Sequence, residues 1–146
     1  AEVKEEFSPH WLLIPIGVLL AGLIAFRLRR RRTDRPAVEQ RVRYACERLR
    51  RLQLPEHGQS ERFMSLLTTI VREYLERTHA WPARRQTATE FIERCGQETG
   101  LTAADREFLI AFTRRAEQVR YAGSAMDAAE CQVWLSAAEK FVSSKK

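Results

Sequence analysis

Apolar and polar positions follow a helical period along most of the chain. Trp11 to Phe26 comes first, sixteen residues without a charge. The pattern then turns amphipathic. Val38, Val42, Ala45, Leu49 and Leu52 recur at steps of four and three, with Arg41, Arg43, Arg48, Arg50 and Arg51 between them. That is one apolar stripe on a helix. Leu54-Pro55-Glu56-His57-Gly58 breaks it. Phe63, Leu66, Leu67, Ile70, Val71, Tyr74 and Leu75 predict a second helix, starting near Ser60. His79-Ala80-Trp81-Pro82 ends it, because the residue before a proline disfavours helical geometry.

Three more helices follow. Thr87 and Glu90 have capping-box spacing and open a helix that buries Phe91, Ile92 and Cys95 and stops at Gly96 or Gly100. Thr102 to Asp105 marks another start, with Phe108, Leu109, Phe112, Ala116 and Val119 on one face and a break at Gly123. Ser124 with Asp127 begins a last helix whose apolar face is Cys131, Trp134, Leu135, Ala138, Phe141 and Val142. No segment alternates with a period of two, so no sheet is expected.

The first apolar run reads as a membrane span. Alone it covers about 24 Å, short of the roughly 30 Å hydrocarbon core. Ser8 as cap and Pro9 as first helical residue extend it to a twenty-residue helix over residues 9–28, which reaches about 30 Å. Trp11 sits where an interfacial aromatic belongs. Arg27, Arg29, Arg30, Arg31 and Arg32 follow the run and flank the membrane. A signal peptide carries its charge before the apolar segment, and here the order is reversed. Positive residues stay on the cytoplasmic side. A single-pass membrane protein is therefore expected, in a bacterium one of the inner membrane, with its N-terminus outside and its C-terminal part in the cytoplasm. Gly17, Ala21 and Ala25 fall four apart and give a small-residue face for helix packing.

The fold class expected is all-α: one transmembrane helix followed by a cytoplasmic bundle of about five helices. Residues 1–8 form an outer flank, 9–28 the span, 29–36 a basic linker with Asp34 capping a helix whose first turn holds Pro36, 37–142 the bundle and 143–146 a polar tail. The first residue is Ala, so the chain is expected to be processed or cut from a longer protein.

Charge sharpens the picture. Eleven arginines and three acids lie between Arg27 and Arg51, whereas residues 52–146 are neutral overall. A broadly basic nucleic-acid binder does not look like this. The arginine block serves topology, or attraction to anionic lipid worth about 1 kcal/mol per basic residue. No nucleic-acid partner is expected. A membrane-tethered nucleic-acid-binding regulator is the alternative, and it predicts retention on DNA that weakens steeply with salt.

Catalytic chemistry is missing. His10, His57 and His79 stand apart from each other and from any cysteine, so no local zinc pair exists. No phosphate loop or HExxH occurs, and Gly58-Gln59-Ser60-Glu61-Arg62 lacks the last glycine of a nucleophile elbow. No enzyme, cofactor or metal is expected. Cys46, Cys95 and Cys131 are odd in number and widely spaced, which fits free thiols acting as small hydrophobes. Trp81 with Arg84 and Arg85 lies in a loop and can contact a partner, although a tryptophan there can equally pack over the bundle.

The order of features also carries a resemblance. An apolar helix ends in Arg29-Arg30-Arg31-Arg32, and a later helix reads Ile70-Val71-Arg72-Glu73-Tyr74-Leu75-Glu76-Arg77. Thr87-Ala88-Thr89-Glu90-Phe91 and Val119-Arg120-Tyr121-Ala122-Gly123 follow. Over most of residues 11 to 123 this resembles the membrane-proximal cytoplasmic domain of bacterial BatD-like proteins and small single-pass proteins of the same operons. The resemblance implies neighbours of the MoxR-type AAA+ ATPase and von Willebrand A classes. It implies an accessory role in a membrane assembly, and it transfers no catalytic residue.

Overall fold

The periodic stripes fold as helices. A computed structural model describes residues 10–144, and the side chains of residues 13–29 and 34–144. Its helices are α1 (His10–Arg51), α2 (Ser60–His79), α3 (Ala88–Gln97), α4 (Ala103–Tyr121) and α5 (Ala128–Ser143), with a single 3-10 turn at Ala83–Arg85. No strand occurs among the described residues. The protein is all-α. The chain divides into two units between Arg35 and Pro36.

The N-terminal unit contains the apolar part of α1. Every described side chain from Leu13 to Arg29 is exposed. Its large apolar residues, Leu13, Leu19 and Phe26 among them, are all more than half uncovered. Among the described residues no helix is long and apolar enough to cross a membrane. The flank 1–8 and Pro9 lie outside the described residues, as do the side chains of Trp11 and Leu12, which the expected span includes.

One expectation is corrected here. Residues 29–36 are helical, not a linker, so Asp34 is no N-cap and Pro36 sits in the interior of α1. Arginine is a good helix former, which favours continuation. Proline holds its own φ near the helical value and removes one hydrogen bond. The division between the two units falls at this proline.

The second unit is a helical bundle around α2, which packs against α4, α5 and the 3-10 turn, while α4 also packs on α3 and α5. Phe63, Leu67, Val71, Tyr74 and Leu75 are buried as their spacing predicts, and Met64 joins them. Val38, Val42, Cys46 and Leu49 bring the end of α1 into the core. Arg50 ties that end to Glu139 of α5 at 2.9 Å. Tyr74 meets Phe141 edge-on, and Phe108 lies among Phe112, Trp134 and Phe141. Trp134 is half-buried, and its Nε1 donates to Glu130.

The helix boundaries follow local chemistry. Thr87 with Glu90 and Thr102 with Asp105 form complete capping boxes, and Asp127 accepts from the Glu130 N–H to start α5. Each satisfies a backbone donor that the first turn leaves open. Gly58 and Gly123 hold φ of 70° and 62° in the turns after α1 and α4, a backbone shape that favours glycine. Gly96 stays inside α3, which ends at Gln97.

Candidate functional site

The residues singled out from sequence have different fates. Gly17, Ala21 and Ala25 are exposed, and a Cβ placed on Gly17 would meet only open space. Arg27 and Arg29 are exposed at the end of the apolar segment. The side chains of Arg30, Arg31 and Arg32 lie outside the described residues. Trp81 is no partner contact, because it is fully buried. Its ring stacks on Phe91 and its Nε1 donates to the Gln86 side chain. A large aromatic beside a helix end covers the core there. Arg84 pairs with Glu76 at 2.6 Å and also donates to it from its backbone N–H. Arg84 and Arg85 are both exposed.

Two of the residues expected in the core are also exposed. Leu52 is 52% and Leu66 37% uncovered. With Ala45, Leu49 and Ile70 they line an apolar groove of about 230 Å³ between the end of α1 and α2, rimmed by Arg48. The stripe is wider than its neighbours can cover, so its edge stays open.

A larger cleft, about 600 Å³, opens between α2, α3 and α4. No run of adjacent residues marks it, because the groups come from separate helices. Arg72 projects from α2 and donates to the backbone oxygens of Ala83 at 3.0 Å and Gln86 at 2.6 Å. Its guanidinium lies over the Phe91 ring, 4.7 Å from the centroid. Burial pulls it below the ordinary arginine value; Glu117 acts the other way and Arg120 adds to the fall. Arg84, Arg120, Thr89, Thr113 and Glu117 also line it.

No group of three or more His, Cys, Asp or Glu could hold a metal ion among the described residues. Cys46, Cys95 and Cys131 are buried, and burial pushes each thiol up to about 11. A thiolate nucleophile needs the opposite shift. His79 Nδ1 lies 2.8 Å from the Thr78 hydroxyl, and His57 is exposed.

Comparisons with known protein families, curated proteins and solved structures find no match to the chain.

Proposed function

We propose that the chain is a membrane-anchored, non-catalytic interaction module. The anchor is the apolar segment of α1, extended by Trp11 and Leu12 to a span over residues 9–28, with Arg27 and the arginines after it on the cytoplasmic side. Its bundle serves an assembly of a MoxR-type AAA+ ATPase and a von Willebrand A protein, the partners implied by the BatD-like resemblance.

One observation carries the anchor. The row from Leu13 to Leu28 leaves its apolar side chains uncovered on every side of the helix. A helix apolar all round belongs in a core or in lipid. Exposed Leu52 and Leu66 on the bundle support the interaction half, since contiguous apolar surface often marks a contact with another protein.

Flotation with liposomes tests the anchor. The full chain is expected in the lipid fraction after alkaline carbonate washing; recovery in the aqueous fraction would overturn it. Co-expression with a MoxR-type ATPase and a von Willebrand A protein tests the partner. Either should co-purify with the full chain, and the pair of substitutions Leu52→Glu and Leu66→Glu should abolish that. Retention of neither protein removes this part.

A further inference from the structure

We propose that the cleft between α2, α3 and α4 binds the phosphate group of a small molecule. The site is independent of the membrane anchor and of the protein partners above. Its volume of about 600 Å³ lies within the range of small-ligand sites. Phosphate presents several strong acceptor oxygens, and the cleft presents donors from three different helices.

The first donor is Arg72. Its NH1 is taken by the carbonyls of Ala83 and Gln86, while Nε and NH2 meet no acceptor among the described residues. No carboxylate lies within ion-pair distance of it, in contrast to Arg84, which Glu76 neutralises. A half-buried guanidinium without a counter-ion is costly, and a bound anion removes that cost. Arg120, on the rim, adds a second unneutralised cation. Glu117 offsets only part of the positive charge.

The second donor is the Thr113 hydroxyl. Thr113 is 4% exposed and lines the cleft from α4. Unlike Thr68, Thr69 and Thr78, which donate to the carbonyl four residues back, it makes no hydrogen bond. No sealed side-chain polar atom lacks a partner among the described residues, so this hydroxyl opens into the cleft.

The third donor set is the start of α3. The capping box engages the N–H groups of Thr87 and Glu90. Ala88 and Thr89, both at the cleft, keep N–H groups with no acceptor inside the helix. Backbone donors at a helix start suit a phosphate oxygen. Guanidinium, hydroxyl and paired N–H groups on three helices match a tetrahedral anion better than a planar carboxylate.

The test is calorimetric titration of the full chain, in detergent micelles, with inorganic phosphate at constant ionic strength. Saturable binding is expected. Arg120→Gln and Thr113→Val should each weaken it, by about tenfold and about threefold, as expected for one charged and one neutral hydrogen bond. Glu117→Gln should tighten it. Neither Arg120→Gln nor Thr113→Val should move the phosphate-free melting temperature by more than the error, which separates loss of a ligand from loss of fold. Adding phosphatidic acid to the micelles distinguishes sources: competition assigns the phosphate to a lipid headgroup, and no competition assigns it to a soluble molecule. Absence of saturable binding overturns the proposal. So does binding that neither Arg120→Gln nor Thr113→Val weakens, which would place the anion on the arginines between Arg27 and Arg35.

Discussion

Trp81 lies flat on Phe91, with ring centroids 4.7 Å apart and 19° between the planes. The stack joins the loop after α2 to the first turn of α3, and Arg72 places its guanidinium over the same Phe91 ring. The helix α2, the loop after it and α3 thus meet at one aromatic ring.

Replacing Trp81 with alanine should therefore cost about 3–5 kcal/mol, the usual range for deleting a buried large aromatic. Trp81→Phe keeps a ring on Phe91 but removes the donor to Gln86. It should cost less, about 1–2 kcal/mol. Urea denaturation of both variants checks the order. Equal, small losses would mean that the stack contributes little.

The three thiols give a second expectation. Each is buried and raised to about 11 from the ordinary 9.0. An electrophile such as iodoacetamide should leave them unmodified at neutral pH and react fully in urea. A folded pKa above the unfolded one adds stability below the unfolded value and loses it as the pH rises through the folded value. Stability should hold up to about pH 9 and fall towards pH 11, and replacing the cysteines with alanine should flatten that fall.

Much of the bundle was legible because helices repeat their apolar residues locally. Phe63, Leu67, Val71 and Tyr74 mark α2 without reference to anything else in the chain, and Thr87 and Thr102 stand three residues before an acid, the spacing of a capping box. Leu54, Leu101 and Met126 are buried from turns, where no period exists to point them inward. Leu52 and Leu66 fit the stripe yet stay exposed, since the period gives a face and not the width of its cover. Pro36 looked like a helix start and is a helix interior, a choice made by the residues on both sides. The phosphate cleft left no trace in the sequence. Arg72, Ala88 and Thr113 meet only after three helices pack, and each alone is an ordinary helix residue.

Arg115 and Glu130 join α4 to α5 through two parallel nitrogen–oxygen contacts. The hydrogen bonds from Arg115 hold the Glu130 carboxyl below its ordinary value, against a smaller opposing effect of burial. A depressed folded pKa contributes stability above the unfolded value and loses it as the pH falls through the folded one. Glu130→Gln should thus be destabilising at neutral pH and less so at acid pH, where the wild-type carboxylate also loses its charge. Thermal melts at the two pH values decide it. A penalty that is the same at both would assign the effect to packing and not to charge.

The membrane anchor can be challenged at a single position. Leu20 is 55% exposed near the middle of the proposed span. An arginine there costs about 2.5–3.5 kcal/mol of insertion free energy, so Leu20→Arg should lower the lipid–water partition constant by roughly a hundredfold, read as reduced flotation. Helix formation is not at stake, because arginine and leucine have similar helix propensities. The bundle should keep its melting temperature, since its core begins at Val38 and belongs to the other unit. Arg27→Glu together with Arg29→Glu is the companion. It leaves the apolar length intact and removes charge that holds the C-terminal side in the cytoplasm, so protease should reach the bundle from the outside in a larger share of molecules. Flotation unchanged by Leu20→Arg would mean that lipid never surrounds this helix.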